Sequence, residues 1–238
     1  MTSPWKHSIS VFADGADLES IRELASDPLI CGFTTNPTLM RKAGVEDYEA
    51  FSRAALEVVT GRPLSLEVFA DDPESIRAQA LTLASLGDNV FVKVPVTTTD
   101  GTSMAPLIRQ LSEEGIQLNV TALMTLRQVE TITDALRDSP AAFISVFAGR
   151  IADTGVDPVP LMANALDIMG DAPHLRLIWA SPREVLNIIQ ADQIGCHVIT
   201  VTPDLLAKLS NIGRDLDDFS LATVRMFYDD AVASGFQL

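Results

Sequence analysis

Short apolar, β-branched or aromatic runs recur roughly every twenty to thirty-five residues along the chain, and such runs bounded by turn residues read as strands. Eight of them stand out, at residues 9–13, 30–34, 64–69, 90–94, 117–120, 143–147, 175–179 and 197–201. Between them the apolar positions take helical spacing: Leu18, Ile21 and Leu24; Ile76, Ala80 and Leu83; Leu126, Val129, Ile132 and Leu136; Val185, Leu186 and Ile189. Several runs hand over to the next helix through a capping side chain followed by proline, at Asn36-Pro37, Asp72-Pro73, Ser181-Pro182 and Thr202-Pro203. Strand and helix alternating eight times predict an α/β fold, a (β/α)8 or TIM barrel with its active face at the C-terminal ends of the strands. A doubly wound open sheet is the rival, but it usually carries a glycine-rich turn after the first strand, and Ala13-Asp14-Gly15-Ala16-Asp17 is not one. Residues 219–236 predict one more amphipathic helix, an interaction arm beyond the eighth unit.

With 238 residues, the whole chain, 1–238, is expected to form a single domain, with the barrel at about residues 8–205 and the C-terminal helix at 215–238. Hydrophobic content of 47% and charged content of 21% suit a soluble globular protein with no membrane span. The formal net charge of −15 argues against nucleic acid and anionic membranes as partners. An anionic substrate would need a local basic pocket. The first seven residues lack the apolar core of a signal peptide, so a cytoplasmic location is expected. Cys31 and Cys196 sit in apolar surroundings without a C-x-x-C pattern and are expected to be buried thiols. His7, His174 and His197 are isolated, and neither metal-binding nor nucleotide-binding patterns occur, so no metal and no cofactor are expected.

One residue breaks the pattern. Lys93 lies inside Val90-Phe91-Val92-Lys93-Val94-Pro95-Val96, an otherwise apolar strand. Desolvation disfavours an ammonium, and a neutral lysine is a nucleophile that forms a Schiff base with a carbonyl compound. The alternative is a strand-end lysine that reaches its head to water. The other strand ends supply further polar groups: Asp14; Thr34, Thr35 and Asn36; Glu67; Asn119 and Thr121; Ser145 and Arg150; Ser181 and Arg183. Each has a plainer role available. Asp14 could cap a helix that Asp17 is also placed to start, simple alternation could turn Glu67 to solvent, and Asn36 and Ser181 are good N-caps. Arg150 and Arg183 could be surface residues, although a guanidinium beside a helix N-terminus makes a phosphate site. Convergence of all of them on one mouth favours chemistry.

In order and spacing, Gly32-Phe33-Thr34-Thr35-Asn36-Pro37-Thr38, Val92-Lys93-Val94-Pro95, Asn119-Val120-Thr121, Ser145-Val146-Phe147-Ala148-Gly149-Arg150-Ile151 and Ala180-Ser181-Pro182-Arg183 resemble the transaldolase family. The similarity is to its small branch, with fructose-6-phosphate aldolase as a close relative. It implies a class I aldolase-like barrel, no cofactor, phosphorylated sugar substrates, a homo-oligomer and a Schiff-base lysine at Lys93. It further implies an acid/base pair of Asp14 and Glu67, with Thr121 holding the catalytic water. Asn36, Asn119 and Ser145, with Thr35 beside them, match the grip on a dihydroxyacetone unit, and Arg150, Ser181 and Arg183 match a phosphate site. Two stretches depart from the family: Gly15 stands where a threonine commonly follows the aspartate, and residues 215–238 differ from the aldolase branch.

The resemblance also bears on the fate of the three-carbon fragment. The aldolase branch carries Gln and Tyr where transaldolases carry Glu and Phe, and this chain has Glu67 and Phe147. Transfer is therefore expected. The alternatives are an aldolase, a transaldolase for a modified ketose such as a sulfonated one, and a catalytically silent barrel used for binding or assembly.

Overall fold

The structure, a computed structural model, describes residues 7–235. Its strands are β1 (Ser10–Asp14), β2 (Ile30–Thr34), β3 (Leu64–Glu67), β4 (Val90–Pro95), β5 (Leu118–Leu123), β6 (Ala142–Val146), β7 (Leu175–Trp179) and β8 (Val198–Val201). They pair in parallel and in chain order, and β8 closes on β1. Helices run between them: α1 (Leu18–Ala25), α2 (Pro37–Lys42), α3 (Tyr48–Val58), α4 (Pro73–Ala84), α5 (Ala105–Glu113), α6 (Leu126–Ala135), α7 (Ala148–Ala152), α8 (Pro158–Met169), α9 (Val185–Gln193) and α10 (Pro203–Leu206). A final helix, α11 (Leu216–Ser234), follows the barrel. The expected (β/α)8 barrel is thus present, and no helix among the described residues is long and apolar enough to cross a membrane.

Alternation along each strand separates two sets of side chains. Those turned outward, among them Val11, Leu66, Val92, Val120, Ile144, Leu177 and Ile199, join the helix faces in the main core. Those turned inward form a smaller cluster of Phe12, Phe91, Phe143, Ile178, Ala180 and Val198. Phe143 meets Phe12 edge-on at 5.5 Å between ring centroids and Phe91 at 4.4 Å. These rings plug the barrel, and the inward positions nearer the C-terminal strand ends are polar. Register puts Glu67 opposite Lys93, Lys93 opposite Asn119, and Asp14 opposite Thr34.

Local chemistry explains most boundaries. Asp17, Asn36 and Asp72 each accept a hydrogen bond from the backbone N–H three residues on, as expected of N-caps. Strand β3 ends at Glu67, two residues short of the apolar run, because Phe69 N–H and Ala70 N–H turn to the Gln79 side chain. Strand β5 runs on to Leu123 through a register shift at Ala122, whose φ is 65°.

Four expectations fail. Ser181 does not start a helix: its φ is 62°, outside the extended range of a cap, and α9 begins at Val185 after Asn187 Oδ1 gathers the Arg183 and Glu184 N–H groups. Leu186 is accordingly 53% exposed, and α9 buries Ile188 and Ala191 instead. Thr202 precedes α10 but makes no capping bond with its side chain. Cys31 is exposed while Cys196 is buried, because Cys31 points out of β2 where the helix layer leaves it uncovered. The expected last helix is found over α11, with Phe236 outside the described residues.

Gly32 marks where the aromatic plug needs space, since a Cβ there would sit 2.6 Å from the Phe12 ring. Gly32→Ala is expected to destabilise the fold by about 1–3 kcal/mol through overpacking. A urea midpoint equal to that of the wild type would show that the plug yields freely.

Candidate active site

The strand ends open into a cavity of about 500 Å³. Asp14, Thr34, Asn36, Glu67, Lys93, Asn119, Thr121, Ser145, Phe147, Arg150, Ser181 and Arg183 all line it, twelve of the thirteen residues singled out from sequence. A larger surface groove of about 870 Å³ between α5 and α6 is lined by Arg109, Asp134 and Arg137. Asp134 there is already ion-paired to both arginines, and none of the strand-end residues named above lines the groove. The residues singled out from sequence gather in the smaller space.

Lys93 is held by two acceptors. Its Nζ donates to Glu67 Oε2 at 2.9 Å and to the Thr35 carbonyl at 2.5 Å. The side chains of Lys93 and Glu67 are 8% and 16% exposed, so the pair is poorly screened by water. Glu67 therefore faces inward beside Lys93, not out to solvent. Thr35, the remaining residue, needs correction: its side chain is fully buried and its hydroxyl donates to the Ser65 carbonyl at 3.1 Å. Strand alternation turns it away from the cavity, and only its carbonyl serves the site.

Asp14 stands on the opposite side of the same space. Its Oδ1 accepts from the Thr34 hydroxyl at 2.8 Å and its Oδ2 from Asn36 Nδ2 at 3.4 Å. Asn36 does double duty, because its Oδ1 caps α2 through Leu39 N–H at 3.0 Å. Thr34 Oγ1 also lies 2.5 Å from Thr200 Oγ1, which extends the network to β8. Burial pushes the Asp14 carboxyl above the ordinary aspartate value of 3.8, against the pull of the Lys93 charge and the Thr34 hydroxyl, while the Glu67 charge adds to the rise. Asp14 is thus a stronger base than an exposed aspartate.

A second network fixes the far wall. Ser145 Oγ donates to Asn119 Oδ1 at 2.7 Å, and Asn119 Nδ2 donates to Ser65 Oγ at 3.0 Å. The amide is thereby oriented, with one N–H left for a ligand. Beyond it, Arg183 is gripped by Asp153, Nε to Oδ1 at 2.9 Å and Nη2 to Oδ2 at 2.5 Å, and its Nη1 reaches Ser181 Oγ at 2.9 Å. The Arg183 guanidinium holds the Asp153 carboxyl below its usual value. Arg150 is exposed at the same rim. Gly149 packs against the Ser181 carbonyl so closely that a Cβ would lie 1.6 Å from that oxygen, which ties the β6 and β7 loops together.

Sequence reasoning did not single out Ser65, Thr200, Asp153 or Tyr48 as part of the site. Ser65 and Thr200 share the inward face with Glu67 and the eighth strand end, so alternation could have found them. Asp153 and Tyr48 act across 30 and 19 residues through side-chain contacts that no local pattern announces. No group of acidic, histidine and cysteine side chains able to hold a metal occurs among the described residues.

Residues 11–237 match the family described as transaldolase/fructose-6-phosphate aldolase. The chain belongs to this family. A probable transaldolase from Nitrosopumilus maritimus is 34% identical over 203 residues, covering 84% of this chain and 87% of the relative. Another from a Thermoanaerobacter species is 30% identical over 228 residues, covering 95% and 99%. Among solved structures, dihydrodipicolinate synthase from Rhodopseudomonas palustris superposes with a TM-score of 0.58 at 14% identity, covering 94% of this chain and 80% of that one. A 2,3-dimethylmalate lyase gives 0.58 at 12%, covering 97% and 84%. At such identity these two share the fold alone. This member of the transaldolase/fructose-6-phosphate aldolase family is an enzyme of that general kind.

The raised Asp14 carboxyl makes stability depend on pH. Below about 3.8 the group is protonated folded or unfolded; above it the unfolded chain ionises first, so the wild type loses stability until the folded carboxyl has ionised too. Asp14→Asn escapes this loss. The melting temperatures of variant and wild type should therefore agree near pH 3 and diverge in favour of the variant as pH rises. A difference constant across that range would contradict a desolvated Asp14.

Proposed function

We propose that the enzyme transfers a dihydroxyacetone unit from a phosphorylated ketose to a phosphorylated aldose through a Schiff base on Lys93. The observation that carries this reading is the buried amine 2.9 Å from the Glu67 carboxylate, with Asp14, a carboxyl whose basicity burial raises, lining the same cavity. The Lys93 ammonium first passes a proton to the Glu67 carboxylate beside it, and addition of the freed amine to a ketone then gives a carbinolamine. Glu67, working with a water held at Thr121, moves the protons that let this lose water and become an iminium. Asp14 takes the C4 hydroxyl proton, the C3–C4 bond breaks, and its electron pair passes to the iminium nitrogen. An aldose phosphate leaves and an enamine remains. A second aldehyde reverses the steps. The iminium is itself the electron sink, so no cofactor is required.

Asn36, Asn119 and Ser145 are suited to the hydroxyls of the three-carbon unit, and Arg150, Ser181 and Arg183 to the phosphate. Phe147 presents an apolar ring where a hydroxyl would help protonate the enamine, which favours transfer over aldol cleavage. In this reading the chain works in the cytoplasm as one barrel domain, in sugar phosphate interconversion. It assembles as a homo-oligomer through α11, a helix with no buried residue that exposes Leu221, Val224, Phe227 and Tyr228.

With sedoheptulose 7-phosphate and glyceraldehyde 3-phosphate, the products expected are fructose 6-phosphate and erythrose 4-phosphate. Borohydride added with fructose 6-phosphate should fix an adduct on Lys93, found by peptide mass, and leave Lys42 and Lys208 unmodified. Lys93→Met should abolish exchange and labelling together. An adduct on another lysine would overturn the mechanism.

Arg150→Ala is expected to lower kcat/KM for phosphorylated substrates roughly 10- to 150-fold, the equivalent of about 1.5–3 kcal/mol for a lost charge-assisted contact. Unphosphorylated dihydroxyacetone as donor should be affected less. Equal losses for both would remove Arg150 from the phosphate site.

A further inference from the structure

We infer that Tyr48 is a positioning residue that sets the Glu67 carboxylate against Lys93 by standing in for a missing strand neighbour. Strands β2 and β3 pair only at Phe33 with Leu64 and Thr34 with Ser65, and the last backbone bond between them runs from Thr35 N–H to the Ser65 carbonyl. The chain then turns away, because Asn36 is committed to capping α2. In a parallel sheet the N–H and C=O of one residue face the same neighbour. On the β4 side of β3, Val68 N–H reaches the Lys93 carbonyl. Both backbone groups of Glu67 therefore face the gap that β2 has left.

Tyr48 fills that gap. Its hydroxyl accepts from Glu67 N–H at 2.8 Å and donates to the Glu67 carbonyl at 3.1 Å. One side-chain oxygen thus satisfies both groups that a strand would have satisfied. The tyrosine is itself well anchored. It opens α3, capped by Asp47 through Ala50 N–H, its carbonyl accepts from Ser52 Oγ at 2.7 Å, and its ring meets Phe69 edge-on at 4.5 Å. Burial, joined by the Glu67 charge, pushes the phenol well above its ordinary value, so it remains a neutral donor throughout the working range. Glu67 is the last residue of β3, where backbone freedom would otherwise translate directly into movement of its carboxylate.

The kinetic consequence rests on the Schiff-base reading above, but the contact between Glu67 and Lys93 can be followed without any sugar. Reductive methylation with formaldehyde and cyanoborohydride, quantified peptide by peptide, gives the pH profile of Lys93 with Lys42 as internal reference. Glu67→Gln should shift the Lys93 profile. Tyr48→Phe, which keeps the ring and removes the hydroxyl, should shift it in the same direction and add nothing further in the double variant. Phe69→Leu, which disturbs the ring contact and keeps the hydroxyl, should leave the profile in place. In turnover, Tyr48→Phe should lower kcat about tenfold with KM nearly unchanged. A Tyr48→Phe profile superimposed on the wild type, additive shifts in the double variant, or an equal shift from Phe69→Leu would each overturn the inference. A wild type that exchanges no three-carbon unit would end the transfer reading alone, and the methylation profiles would still decide the role of Tyr48.

Discussion

Two opposite charges lie 2.9 Å apart inside the barrel, and neither could be kept there without the other. Removing a lysine from water disfavours its charge, as it does for a glutamate, and an unpaired ion in such a place costs several kcal/mol. Pairing offsets that cost only when the remaining donors and acceptors are satisfied. The surroundings are built accordingly: the Thr35 carbonyl takes a second Lys93 proton, register seats Glu67 directly beside Lys93, and Tyr48 closes the end of β3 behind the carboxylate. Asp14 feels both charges from across the cavity, and its proton affinity is the resultant of burial and their opposing pulls.

Much of this was legible in the sequence because barrels convert one-dimensional order into a ring. A polar residue at the end of an apolar run becomes a residue on the active face, so Asp14, Glu67, Lys93 and Asn119 could be named before any contact was known. Exceptions arose where a single residue's orientation decides the outcome. Thr35 follows Thr34 directly and looks equally polar, but a period of two sends it to the other side of the sheet. Ser181-Pro182 has the composition of a helix start, yet the close approach of Gly149 to the Ser181 carbonyl holds that loop in a left-handed turn. Tyr48 and Asp153 were silent because their partners are distant in the chain.

Net charge offers a contrast of scale. The molecule carries −15 overall, but the rim of the cavity sets Arg150 and Arg183 against the single carboxylate of Asp153. That carboxylate takes two donors from the Arg183 fork and fixes its plane, so the guanidinium is oriented before any anion arrives. Long-range repulsion from an acidic surface is largely screened at physiological salt, whereas contacts at hydrogen-bond distance on the rim are weakened less.

The plug of Phe12, Phe91 and Phe143 was introduced as packing, but it also gives the cavity a floor. The three buried rings shut the axis of the barrel on one side, so the polar strand ends meet solvent from the other side alone. One interior is thereby divided into a dry half that holds the sheet in shape and a wet half that is free to carry charged and hydrogen-bonding groups.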